Sequence, residues 1–185
     1  EMKAKSPEYT TVTILADKEG IGSVGNTGLN SDFTLQYIEG LCKAGNVDVR
    51  KVLKHSLCLS ADVNAGYDPP FASVFEEKNS CYLNKGVVLT KYTGARGKSG
   101  SNDASAETMA KVIQIMDEAG VYWQIGELGA VDVGGGGTVA MYLANRNIDT
   151  VDAGVPVLSM HAPFECIAKL DLYMAYKGFG AFYRD

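Results

Sequence analysis

Four residues carry side chains that could do chemistry together: Asp17, Glu19, Asp62 and His161. Each follows a β-branched or apolar run that reads as a strand, and open α/β sheets bind ligands beyond the carboxyl ends of their strands. Oxygen and imidazole donors converging there suit a hard or borderline cation such as zinc, and a nearby carboxylate can then deprotonate a metal-activated water. Taken singly, a strand-end aspartate is also an ordinary turn or helix cap, and a histidine is also an ordinary packing residue. The second histidine, His55, sits in the basic stretch KVLKH and reads as surface or packing.

Positioning these groups requires alternating strands and helices. Strands are expected over residues 10–16 (TTVTILA), 56–61 (SLCLSA), 86–92 (GVVLTKY), 121–125 and 150–158, the last with Pro156 near its end. Helices are expected over 33–44, 49–53, 104–119, 138–145 and 164–183, with Gly45 and Gly120 as stops for the first and third. Asp68-Pro69-Pro70 breaks the chain, 71–81 reads as irregular, and 94–102 reads as a glycine- and serine-rich loop. The alternation implies an α/β fold, a three-layer arrangement with helices on both faces of a sheet. No internal repeat or linker divides the chain, so residues 1–185 read as one domain.

Three glycine-rich stretches fail as nucleotide sites. Gly22, Gly25 and Gly28 have the spacing G-x-x-G-x-x-G, and the phosphate-loop position before Gly97 is Tyr92. Gly134–Gly137 precedes Thr138 and a helix, where exposed amides can hold an anion or carbonyl oxygen. The other reading of all three is a turn, or a close backbone approach that admits only glycine.

Composition narrows the partners. The chain has 185 residues, 46% hydrophobic and 21% charged, with net charge -5 and no basic stripe, so nucleic acid is not expected. No apolar run approaches the roughly 20 residues that cross a bilayer, so no membrane association is expected. Cys42, Cys58, Cys81 and Cys166 form no C-x-x-C pair and read as reduced core thiols of a cytoplasmic protein.

Longer strings carry a resemblance. DKEGIGSVGNTG (17–28), LSADVNAGYDP (59–69), KYTGARGKSGSNDASAE (91–107), WQIGELGAVDVGGGGT (123–138) and LSMHAPFE (158–165) resemble, in order, segments of the aspartyl aminopeptidase/vacuolar aminopeptidase I family of zinc metallopeptidases, in its bacterial branch. The resemblance implies part of a zinc-peptidase (phosphorylase/hydrolase-like) fold, the C-terminal portion of a catalytic domain without the family's dimerisation domain. It implies two zinc ions, peptide substrates and release of N-terminal residues. By position, Glu19 matches the proton-shuttling glutamate, Asp62 a terminal metal ligand, His161 the last histidine ligand, and Gly135, Gly136, Gly137 and Thr138 a substrate-lining loop. Lys91 and Lys98 could meet an acidic substrate side chain.

The departures from the pattern are specific. The family's second glutamate, a metal ligand, is Gly20 here, and no H-x-D segment or bridging aspartate lies among the 18 residues before Glu19. Weak or partial zinc occupancy follows, with activity of the isolated chain in doubt. The opening Glu1-Met2 suggests a fragment or split-gene product. Homo-oligomerisation, or association with a missing N-terminal portion, is expected to cover exposed sheet edge. Two other readings remain: a non-catalytic pseudo-enzyme or assembly subunit, and a small-molecule binding module using Gly134–Gly137 without metal.

Overall fold

The computed structural model describes residues 8–96, 99–130 and 132–185. In chain order the elements are α1 (Phe33–Ala44), α2 (Val49–Lys54), β1 (Leu57–Ser60), β2 (Asn64–Ala65), β3 (Val87–Thr90), β4 (Tyr92–Ala95), β5 (Ser99–Asp103), α3 (Ala106–Glu118), β6 (Trp123–Ile125), α4 (Ala140–Ala144), β7 (Asp149–Gly154), β8 (Pro156–Leu158), β9 (Cys166–Ile167) and α5 (Lys169–Phe182).

The main sheet has the order β1-β7-β3-β6. β1 runs parallel to β7 and β6 parallel to β3, while β3 and β7 are antiparallel. Side chains alternate across a strand, and here the alternation separates core from site. Val87 and Leu89 of β3, with Val151 and Ala153 of β7, pack against Met109, Val112 and Met116 of α3 and Met174 and Ala175 of α5. Thr90 and Asp152, which are register partners, point to the other face. There α4 packs on β7, and Tyr142 and Leu143 of α4 share a small apolar cleft with Leu35 and Ile38 of α1 and Leu53 of α2. The fold is therefore α/β, with helices on both faces.

Helix starts follow local chemistry. Ser105 caps α3 by accepting from the Thr108 amide at 3.1 Å, and Asp48 caps α2 by accepting from Lys51 at 3.0 Å. Fully buried Asp171, in the first turn of α5, accepts from the amides of Asn84 (2.8 Å) and Gly86 (2.7 Å). It thereby pins the turn that leads into β3.

Several expectations need correction. Residues 10–16 form no strand, because a β-branched run becomes one only beside a partner. The nearest pairing is the isolated bridge of Asp17 to Gly28. The expected single strand 150–158 is two strands broken at Val155, and Pro156 opens β8, the position where a missing N–H costs least. β8 turns away to pair with β2 and β9 in a second, three-stranded sheet. α5 begins at Lys169 instead of residue 164, since Cys166 and Ile167 are drawn into pairing with β8. Part of the expected loop 94–102 is the β4–β5 hairpin. Cys166 is exposed and so is no core thiol, while Cys42 and Cys81 are buried.

Candidate functional site

β1 ends at Ser60, and two residues later the chain places Asp62 beside Gly154, the end of β7. The fit there is tight: a Cβ on Gly154 would stand 1.3 Å from the Asp62 carbonyl oxygen. Only glycine allows the two main chains to touch in this way. Asp62 Oδ1 accepts from the Val63 amide at 2.8 Å, which orients the carboxylate.

His161 reaches the same place along the other route. The bend at Val155 carries the chain from β7 through β8 into a turn where Ser159 and His161 both have left-handed φ, 59° and 66°. The His161 amide donates to Glu165 Oε1 at 2.7 Å, which fixes that turn. His161 is near enough to Asp62 to act on its charge. Burial pushes the Asp62 carboxyl above its ordinary range, while the Val63 amide and His161 pull it back down.

Asp62 lines a small cavity of about 10 Å³ together with Asn64, Thr90, Thr93, Thr138 and Asp152. That volume is close to what one water needs. Asp152 is only 4% exposed. Burial pushes its carboxyl up to about 6; the Thr138 and Ser60 hydroxyls act in the opposite direction, and Asp62 adds to the rise. Proximity is not alignment, however. Neither Asp152 oxygen makes a well-aligned hydrogen bond, and Ser60 Oγ and Thr93 Oγ1 are equally unpartnered among the described residues.

The glycine run takes its place through backbone contacts. The Gly94 amide donates to Gly136 O at 3.0 Å and the Arg96 amide to Gly134 O at 2.8 Å, so the run lies along β4. A Cβ on Gly135 would meet Gly94 O at 2.7 Å, and one on Gly137 would meet Gly100 O at 2.6 Å. Close backbone approach therefore accounts for these glycines, and Thr138 is the member of the run that lines the cavity.

The structure thus brings Asp62, His161 and Thr138 together. Glu19 is exposed in a 3-10 turn (Glu19–Ile21), and the Tyr142 hydroxyl donates to Gly22 O just after that turn at 2.8 Å. Among the described residues no group of three His, Cys, Asp or Glu side chains is placed to hold a metal. Lys91 is ion-paired with Asp103, and the expectation for Lys98 lies outside the described residues. Sequence reading missed Asp152. Its signal was a lone acid inside the apolar run TVDAGVPVL, where a charge is expensive unless it has a use.

The fold is an α/β layer in which a carboxylate and an imidazole lie near one another past the strand ends. The profile of the family described as aminopeptidase I zinc metalloprotease (M18) matches residues 1–183, and the chain belongs to that family. It is 46% identical over 187 aligned residues to the probable M18 family aminopeptidase 1 of Clostridium acetobutylicum, covering 98% of this chain and 40% of the relative. The crystal structure of aminopeptidase I from that organism superposes with TM-score 0.84 at 44% identity, over 91% of this chain and 37% of the other. That of the M18 aminopeptidase from Thermotoga maritima gives 0.86 at 41% identity, over 91% and 39%. The chain therefore spans well under half the length of the relatives it matches.

Proposed function

We propose that residues 1–185 form one domain, the C-terminal portion of the catalytic domain of a zinc-dependent aminopeptidase that acts on peptide substrates. The observation that carries this reading is the approach of Asp62 and His161 from two different strand ends. The donor types fit zinc, an oxygen and an imidazole nitrogen. Bound zinc would supply a water of lowered pKa and a polarised carbonyl. Asp62 and His161 would hold the metal, Glu19 would carry the proton from water to the leaving amine, and Thr138 with Gly135–Gly137 would line the substrate channel. Exposed main chain at the glycine run is available to a peptide backbone.

Catalytic zinc sites use three or more protein ligands. This chain brings two, and Gly20 has no side-chain donor. The two ions of the family would bind here weakly or in part, and full activity would need ligands from another polypeptide segment. Association with a copy of itself or with such a segment fits the apolar side chains left exposed on α1 and α5. A cytoplasmic, reducing setting goes with the four free thiols.

The test is zinc titration of the metal-stripped chain by calorimetry, with Asp62→Ala and His161→Ala as controls. Weak binding, abolished by either change, is expected. Binding that survives both substitutions would place the metal elsewhere and end this reading. Where peptidase activity is measurable, Glu19→Gln should abolish it while leaving zinc affinity within about twofold.

A further inference from the structure

Three segments of the site meet at one side chain. Asp152 stands in register with Ser60 of β1 on one side and with Thr90 of β3 on the other. It shares the cavity with Asp62 and with Thr138, the last residue of the glycine run. Two residues further on, Gly154 presses against the Asp62 carbonyl. One short strand therefore backs the Asp62 main chain through Gly154 and its side chain through Asp152.

Asp152 is also buried with both oxygens unpartnered, beside unpartnered hydroxyls of Ser60 and Thr93. Native folds seldom leave so many buried polar atoms in one spot without a function for them. A carboxylate accepts hydrogen bonds only. When ionised it would attract the neighbouring hydroxyls and repel the Asp62 carboxylate, whose cavity it shares. Outer partners of this kind orient metal ligands and commonly change metal affinity by about 10–100-fold.

We infer that Asp152 is a positioning residue of the Asp62–His161 site, setting the direction of the Asp62 carboxylate and holding the Thr138 end of the glycine run against it. This rests on the reading of Asp62 and His161 as metal ligands. Asp152 acts here through Asp62 and Thr138, with which it lines one cavity.

The experiment compares the metal-stripped chain with Asp152→Asn and Thr138→Val, using zinc calorimetry and the visible spectrum of added cobalt(II), with thermal melts as a folding control. Asp152→Asn should fold, lose about tenfold or more in zinc affinity, and shift the cobalt bands, because the ligand direction has changed. Thr138→Val should move both readouts in the same direction by less. A folded Asp152→Asn with wild-type affinity and spectrum overturns the inference and leaves the metal reading standing. If Asp152→Asn does not fold, an unchanged Thr138→Val overturns it equally. A wild-type chain that takes up neither metal overturns the ligand reading, and this inference with it.

Discussion

At Asp152, burial works against charge, and the consequence can be measured without any metal. Its folded-state pKa of about 6 lies above the 3.8 of an unperturbed aspartate. The folded chain therefore holds a proton between those values that the unfolded chain has released. By linkage, this contribution is fully present below about pH 4, falls as pH rises through 6, and is flat above. Its size is at most about 3 kcal/mol. Asp62 is shifted the same way, also by burial first, and adds to the slope. Asp152→Asn removes the ionisation. Urea unfolding of the metal-free chain should find the variant more stable than wild type at pH 7.5 and close to it at pH 4; equal gaps at both would refute the assignment. Gain in stability with loss of metal geometry is the trade-off expected of a site residue. Gly20 offers the opposite experiment. A Cβ there meets nothing within 4 Å, so the backbone accepts a larger side chain. Gly20→Glu supplies the carboxylate that the family pattern has at this position, and zinc affinity should tighten by at least roughly tenfold. An unchanged titration would mean that the Glu19–Ile21 turn does not reach the metal.

Between elements, what was legible in the sequence depended on whether the signal was local. α1 was read with its observed bounds and α3 within two residues at its start, because apolar spacing, caps and a following glycine all lie within one stretch. The strand expected over 10–16, the unbroken strand over 150–158 and the early start of α5 failed for one shared reason. Pairing decides each of them, and pairing partners lie far away in sequence. The site divides the same way. Asp62 and His161 were visible as polar residues after apolar runs and Thr138 through the glycine loop it closes, but Asp152 lies inside an apolar run and only its register with Ser60 and Thr90 shows what it faces. Asp171 is another case, an acid on the helix face that sequence periodicity assigns to the core. It holds the turn before β3 through two hydrogen bonds in full burial. Asp171→Ala would strand both amides and should cost about 3 kcal/mol in chemical denaturation. Ser105→Ala, which removes a cap at a helix end, should cost about 1 kcal/mol. Comparable losses for the two would show that the Asp171 bracket contributes no more than an ordinary cap.

Across the whole molecule, apolar surface is unevenly placed. Phe33, Tyr37 and Leu41 of α1, four residues apart, form one stripe that is 69%, 58% and 41% exposed. Tyr173 and Tyr176 of α5 are exposed as well, with their rings stacked at 6.4 Å. The sheet ends in two edges, β1 and β6, and Ile125 on the latter is half exposed. Surface of this kind marks contact with another chain more often than with solvent. The net charge of -5 is too small to keep such faces apart at moderate salt. Sedimentation at increasing protein concentration should therefore show species heavier than the 19.7 kDa monomer. Tyr37→Glu, a change on the exposed stripe of α1, should shift the distribution toward monomer without altering the thermal midpoint at low concentration. A single monomeric species throughout would mean that the stripe is tolerated in water, and with it the proposal of self-association would fall. Zinc titration in the same series separates two kinds of assembly. Affinity that rises with oligomer content means a neighbouring copy completes the ligand set, whereas constant weak affinity means the missing ligands come from elsewhere.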